Sequence, residues 1–418
     1  MPVLVEFRFK NFRSFMGETV FSMVPSSDKT NLVNSAVETK NTSVPRILKV
    51  AGIYGANASG KSNVVKAMYL MRAIVAHSAM FQPNQMLPAQ PFRLSEGKAE
   101  EPTEFEITFF QDQVRYQFGF AFNAKQITSE WLIAYKTSKP QTWYSREYDS
   151  NKKAYDYKFG PSLLGPKTVW RDATRQNSLF LSTAVQLNSE QLKSVFDWIT
   201  KSLVIFNTFD NPKLSTTVEH IKQWGPDAVR SFLSAADIAI DNIQLKSYPG
   251  FVQKIQFDPA TEQLSNTHEE QSLLLPTFSH TTRNGSAIFE LMDESDGTQR
   301  LFALAGPLFE ILERGQVLVI DELDKSLHAL LVRHLIERFQ LPSESTSQAQ
   351  LIFTSHDTSL LNSDLLRRDQ IWFTEKDEQQ ASKLFPLTDF APRKHEAFER
   401  GYLSGRYGAV PILGLWKN

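Results

Sequence analysis

The chain has 418 residues, 41% hydrophobic and 22% charged, an ordinary globular balance that excludes disordered and fibrous classes. Its 45 basic and 46 acidic residues leave a net charge of -1, so any contact with nucleic acid needs a local basic surface rather than a globally basic molecule. Without cysteine there is neither a disulfide nor a thiolate metal site; without a leader-like N-terminus or a membrane-length apolar run, a cytoplasmic protein with no membrane contact is expected.

In chain order, Val3 to Lys10 passes from an apolar run into apolar/charged alternation, which predicts a first strand with one buried face. The turn Asn11-Phe12-Arg13-Ser14-Phe15 follows, then a polar surface connection from Ser26 to Ser43. Ile47 to Tyr54 is apolar and of strand length, and Gly55-Ala56-Asn57-Ala58-Ser59-Gly60-Lys61-Ser62 fills every fixed position of the Gly-x-x-x-x-Gly-Lys-Ser pattern. Asn63 to Leu70 then has helical spacing. Strand, glycine loop and helix is the context in which backbone N–H groups turn inward on a phosphate, aided by the positive end of the helix. The predicted cradle is Gly55, Asn57, Ser59, Gly60, Lys61, Ser62 and Asn63, with Lys61 as the mobile cation and the Ser62 hydroxyl as a Mg²⁺ ligand. Arg13, one strand earlier, is a further candidate for contact with the nucleotide.

Ala76 to Pro91 reads as a loop containing Gln82, Gln85 and Gln90. Phe105 to Phe110 and Val114 to Phe122 alternate with period two around the turn Gln111-Asp112-Gln113, and Ser129 to Tyr135 and Thr142 to Tyr148 extend the same antiparallel meander. Asn188 to Leu203 predicts an amphipathic helix, and Thr216 to Ile240 a helical stretch broken at Gly225-Pro226. Strands are expected near Val252 to Phe257 and Ser286 to Leu291. The absence of sustained heptads argues against a coiled-coil arm.

Glu294-Ser295-Asp296-Gly297-Thr298-Gln299-Arg300 leads into an apolar helix from Leu301, with Ser295 or Asp296 placed to cap it and Gly297 allowing a phosphate to approach the backbone. Gln316 to Glu322 is an apolar strand ending in two acids. Placed at a strand end next to the phosphate-loop strand, Asp321 would hold Mg²⁺ and Glu322 would act as general base on a water. A further strand, Gln350 to Ser355, ends at His356, a candidate γ-phosphate contact.

This set resembles the ABC-type ATPase heads of the RecF and SMC class. The loop Gly55 to Ser62 resembles Walker A, Val317 to Glu322 Walker B with its catalytic glutamate, Leu323-Asp324-Lys325-Ser326-Leu327-His328 the D-loop, and Ser355-His356-Asp357 the switch-histidine segment. Ser295-Asp296-Gly297-Thr298 keeps the serine and second glycine of the transporter-type Ser-Gly-Gly-Gln signature and lacks the others. Asn11 to Phe15, the phosphate loop, Glu294 to Thr298 and the ending Arg400 to Gly408 are similar to the compact anti-phage ATPases of the AbiL and Rlo type.

The resemblance implies an α/β fold: an ABC-type P-loop NTPase head with a mixed sheet, an antiparallel β layer and an inserted helical lobe. Residues 1–200 would form the N-terminal part of the head, 201–290 the insertion and 291–418 the C-terminal part. It also implies a homodimer, possibly a higher oligomer, whose Ser295 and Gly297 close over the ATP and Mg²⁺ held by Lys61, Ser62 and Asp321 of the opposite subunit. Asp324 would join as the D-loop acid, Glu322 and His356 would be catalytic, and the Q-loop glutamine would be Gln90, with Gln82 and Gln85 as alternatives. Arg13 would touch the adenine side or a phosphate.

The implied function is an ATPase that senses infection or scaffolds and releases a separate effector, such as a nuclease or toxin encoded nearby. No clustered carboxylates for a two-metal nuclease occur outside the acidic strand. A RecF-like DNA clamp is the alternative, for which Arg367-Arg368 or Arg393-Lys394 would contribute to a basic groove. A non-hydrolysing scaffold would have no use for Glu322.

Overall fold

The computed structural model describes residues 2–30, 32–137, 139–207, 214–258, 263–325, 327–340, 348–392 and 396–411; Ser326 of the D-loop-like segment and the pair Arg393 and Lys394 lie outside them. The chain divides into two compact units, Met1–Asp210 with Ile311–Asn418, and Asn211–Glu310.

The first unit contains a seven-stranded antiparallel sheet in the spatial order Ala154–Phe159, Gln141–Asp149, Ile127–Tyr135, Val114–Phe122, Thr103–Gln111, Val3–Lys10 and Thr19–Ser22. The alternation in its sequence is realised as burial: Phe105 and Ile107 pair with Phe120 and Phe118, and all four are buried. Asp112 (φ 49°) and Gln113 (φ 66°) are both left-handed, as a two-residue hairpin requires. Under this sheet lies a closed ionic network. Glu130 accepts from Arg146 Nε (2.9 Å), Tyr144 Oη (2.8 Å) and the Phe180 and Leu181 N–H groups (2.7 and 3.0 Å), so it also caps the helix Phe180–Gln186.

The second sheet has six strands in the order Leu203–Phe206, Val317–Ile320, Gln350–Thr354, Val50–Gly55, Ile371–Lys376 and Ser382–Pro386. All neighbours are parallel except the last pair. This corrects one expectation: Gln350–Thr354 stands between the acidic strand and the phosphate-loop strand, which are not neighbours. All three are buried throughout, so their composition carries no mark of who pairs with whom. The Gln350 side chain joins the two sheets. Its Oε1 accepts from Leu4 N (2.6 Å) and its Nε2 donates to the Leu4 and Leu48 carbonyls, where the pairing of Val3–Lys10 shifts register. One apolar core runs through both sheets and the helix Lys61–His77.

Several elements escape the sequence reading: the helices Lys167–Ala173 and Ala329–Gln340, the strands Ile371–Lys376 and Ser382–Pro386, and the edge strand Leu203–Phe206, whose first residue is the last of the predicted helix Asn188 to Leu203. That helix is Glu190–Asp197 followed by one π turn, and Leu203-Val204-Ile205-Phe206 continues it as strand.

In the second unit the helices Leu214–Trp224 and Asp227–Ala235 part at Gly225 (φ 82°), and the strands Asn242–Asp258, Gln263–Thr282 and Gly285–Glu290 form an antiparallel sheet. Helix Asp296–Arg314 contains Pro307, which has no N–H for the Ala303 carbonyl. Buried Thr217 compensates: its Oγ1 lies 2.8 Å from the Phe302 carbonyl and 3.2 Å from that of Ala303, and accepts from Gly306 N (3.0 Å).

Candidate active site

The ends of the parallel strands deliver the site. Val50–Gly55 runs into the loop, and helix Lys61–His77 starts at Gly60 with no side-chain cap, which leaves first-turn N–H groups for an anion. Two glycines are obligatory. A Cβ on Gly55 (φ +151°) would stand 2.3 Å from the Thr374 carbonyl oxygen, and one on Gly60 (φ +120°) 2.6 Å from Ser382 Oγ. Asn57 and Ala58 are exposed at the tip, while Ser59 is buried with its Oγ 2.6 Å from Thr374 Oγ1. Ser382 Oγ donates to the Ser59 carbonyl (2.6 Å), and Asn63 Nδ2 donates to Ser14 Oγ (2.8 Å). Ser14, Thr374 and Ser382, none singled out in the sequence, therefore clamp the loop from three separate segments.

The C-terminal Gly/Tyr/Arg segment backs this clamp. Tyr402 and Tyr407 stack on Phe373 (5.3 and 5.9 Å), and Ala409 N donates to Glu375 Oε2 (3.0 Å), so residues on both sides of Thr374 are held.

Lys61 is 5% exposed and donates to the carbonyls of Gly55 (2.8 Å) and Ala56 (3.0 Å). Burial lowers its pKa to about 8 against the pull of Asp321, Asp324 and Glu322. Ser62, partly exposed, follows it in the first turn.

Asp321 is buried at the end of Val317–Ile320, and a single hydroxyl sets both acids: Thr354 Oγ1 donates to Asp321 Oδ1 (2.6 Å) and accepts from Glu322 N (2.8 Å). Glu322 has φ 52°, a conformation a glutamate rarely adopts, and it is fixed there by that bond and by Leu323 N on the Thr354 carbonyl (3.0 Å). Its carboxylate is partly exposed, 3.6 Å from Lys325 Nζ. His356 N donates to Asp324 Oδ2 (3.2 Å). Burial and then the Lys61 cation lower the His356 pKa, against Asp324, Glu322 and Asp321.

Arg13 (φ 51°) meets Gln90 twice: Arg13 N donates to the Gln90 carbonyl (2.7 Å) and Nε to Gln90 Oε1 (2.6 Å). With Ser14, Arg93, Leu94 and Lys376 they line an open cleft of about 450 Å³ beside the loop clamp. The backbone carbonyls of Gln82 and Gln85 are held instead by Asn177 Nδ2 (2.9 Å each).

Ser295 and Gly297 lie in the second unit. Ser295 caps the helix, accepting from Thr298 N (3.2 Å), and Gly297 is helical with an ordinary φ. Ahead of the cap, the His280 ring bridges the Ala239 carbonyl (2.9 Å) and Glu294 Oε1 (2.6 Å).

The expected basic groove finds no support at Arg367-Arg368. Arg367 is 7% exposed and paired with Asp369 (2.6 Å), and Arg368 is paired with Asp28. An Arg pair reads as surface charge until its carboxylates, over 300 residues away for Asp28, are brought to it by the fold. No helix among the described residues is long and apolar enough to cross a membrane.

A parallel sheet that brings a glycine loop with its lysine, an Asp-Glu strand end and a histidine to the ends of its strands has the arrangement of a P-loop nucleotide-binding fold. The chain belongs to the family described as "AAA domain, putative AbiEii toxin, Type IV TA system", which matches residues 50–362, from the phosphate-loop strand past His356. No curated protein matches it. Among solved structures it is similar to the SMC head domain from Thermotoga maritima, at 13% identity and TM-score 0.39 over 92% of this chain and 98% of that one. It is also similar to an SmcHead bound to the C-winged helix domain of ScpA, at 11% identity and TM-score 0.41 over 92% and 97%.

Proposed function

We propose that this chain is an ATPase whose site is completed by a second copy, and that the nucleotide state controls a separate effector in anti-phage defence. The observation that carries the proposal is the geometry after the strand ends: Thr354 Oγ1 sets Asp321 and Glu322, Asp324 accepts from His356 N, and Lys61 opens the helix that follows the phosphate loop. Lys61 would exchange its loop carbonyls for the β and γ phosphates, which join the first-turn N–H groups in the cradle. Ser62 and Asp321 offer only oxygen donors, which fits Mg²⁺ held jointly with phosphates; bound there, the ion neutralises charge on the transferred group. Glu322, fixed at its left-handed backbone, takes a proton from the water that attacks the γ-phosphorus as the bond to the departing ADP breaks, and His356 donates to a γ-phosphate oxygen. The Arg13–Gln90 cleft would take the base or ribose. Ser295 and Gly297 would present the helix start Asp296–Arg314 to the nucleotide of the other copy.

Mixing tests the composite site. Ser295→Arg and Lys61→Ala are each expected to be inactive, and a heterodimer of the two retains one intact site and regains turnover. Demonstrated subunit exchange without any recovered turnover contradicts sharing between independently firing sites. The effector is tested by co-expression with the product of the adjacent gene, whose toxicity should depend on Lys61 and Glu322 while this chain alone cuts no nucleic acid. ATP-dependent, salt-sensitive duplex binding by the isolated chain would instead support the clamp.

A further inference from the structure

One bond of the clamp has a consequence on the far side of the phosphate loop. Ser382 and Ser59 are both buried, and Ser382 Oγ donates to the Ser59 carbonyl (2.6 Å) across 323 residues of sequence. The same oxygen stands 2.8 Å from Ser14 Oγ. A hydroxyl has one proton, and Ser14 Oγ already accepts from Asn63 Nδ2 (2.8 Å), so the proton is assigned to the shorter bond, the one to the carbonyl. Ser382 is placed for it by its own backbone, whose N donates to the Ser14 carbonyl (2.7 Å).

The bonded carbonyl belongs to the peptide Ser59–Gly60, which is trans. In a planar trans peptide the C=O and N–H point in opposite directions, so a carbonyl held toward Ser382 sends the Gly60 N–H to the other side. There it meets no protein acceptor: Gly60 is buried, and its N has no hydrogen-bond partner among the described residues. A buried backbone donor left without an acceptor is rare in a folded chain and points to a ligand. The loop's own backbone does not fix this direction. Glycine accepts either sign of φ, so at Gly60 (φ +120°) the preceding peptide turns over at little cost unless something outside the loop holds it. Ser382 packs directly on that glycine, where a Cβ would come 2.6 Å from its Oγ and 2.9 Å from its Cβ.

We propose that Ser382 is a positioning residue for nucleotide binding: by holding the Ser59 carbonyl it aims the Gly60 N–H at a phosphate oxygen of the bound nucleotide. The inference rests on the ATPase reading above and adds to it a donor whose direction is set from outside the loop, by the first residue of the strand Ser382–Pro386.

Nuclear magnetic resonance on the full chain tests it. The chain has two Ser–Gly peptides, Ser59–Gly60 and Ser404–Gly405, so serine labelled with ¹³C at the carbonyl and ¹⁵N-glycine isolate two amides, and Ser404→Ala removes the second. With ATP and Mg²⁺ the Gly60 amide of the wild type is expected to move downfield saturably, as an N–H does when it donates to a charged oxygen. Ser382→Ala should lose most of that shift, weaken ATP binding roughly tenfold and raise KM by as much, and leave kcat within about twofold, because the contact is made equally in the ground and transition states. An unmoved Gly60 amide in the ATP-saturated wild type overturns the role whatever the variant does. So does a folded Ser382→Ala that keeps the wild-type affinity or the wild-type shift. A wild type that binds no nucleotide refutes the functional reading itself, whereas wild-type binding without a response at Gly60 refutes this role alone.

Discussion

Two clusters of buried charge in the first unit are built on opposite plans. Glu130 is 0% exposed and Arg146 1%, and the glutamate accepts four hydrogen bonds on its two oxygens. Arg146 donates as well to Tyr157 Oη and to the Ser178 carbonyl. At the proposed nucleotide site, Asp324 Oδ1 and Tyr54 Oη have no partner among the described residues, Glu322 sits at a left-handed φ, and Lys61 donates to carbonyls of its own loop. A closed network contributes to stability and has no valence left for a ligand. Open valences lower stability and leave groups free to meet one. Burial alone does not distinguish the two clusters; saturation does.

The largest effect should come from the open cluster. Glu322→Gln keeps the shape and removes the base, so phosphate release should fall by roughly 10²–10⁴ while ATP still binds. Light scattering should then show a persistent ATP-bound dimer, and rapid turnover by this variant would place the base elsewhere. In the closed cluster, Glu130→Ala strands the Arg146 cation and two helix N–H groups. Denaturant unfolding should show a loss of about 3–5 kcal/mol, with ATP affinity of the folded fraction unchanged. A stable variant with impaired ATP binding would erase the distinction between the clusters.

The smallest effect is on pH. With its pKa lowered to about 8, Lys61 is charged below that pH and loses its proton above it in the free protein. A buried lysine with a lowered pKa disfavours the fold while charged, so its contribution improves as pH rises from about 8 toward 10.5. Nucleotide binding has the opposite sign: phosphates favour the cation, so affinity should be flat below pH 8 and fall above it, by at most about tenfold per unit. Calorimetry in buffers of different ionisation enthalpy should detect proton uptake on binding near pH 9. No uptake would mean that Lys61 titrates elsewhere.

The phosphate loop, the acid pair and the meander are legible in sequence because each concentrates its chemistry in consecutive residues. The clamp is not. Ser14, Thr374 and Ser382 are single hydroxyls in unrelated segments, and their role exists only once the fold brings Thr374 and Ser382 to Ser59 and Gly60, and Ser14 to Asn63. Thr354 escapes notice for the same reason, although a threonine just before Ser355-His356 at a strand end is a signal that could have been weighed. The strand Gln263–Thr282 is polar over its first half and follows no apolar period. Strand order, and with it the place of Asp321 relative to Lys61, depends on crossovers that buried apolar strands do not encode.

The central claim is that Lys61 holds a nucleotide. Titration of ATP with Mg²⁺ into the wild type and Lys61→Ala, at pH 7 and matched fold stability, tests it most directly. Saturable binding by the wild type and a loss of affinity of roughly 100-fold or more in the variant are expected, since the cradle keeps its N–H groups and loses its cation. Equal affinity and equal turnover in the two proteins would contradict the account.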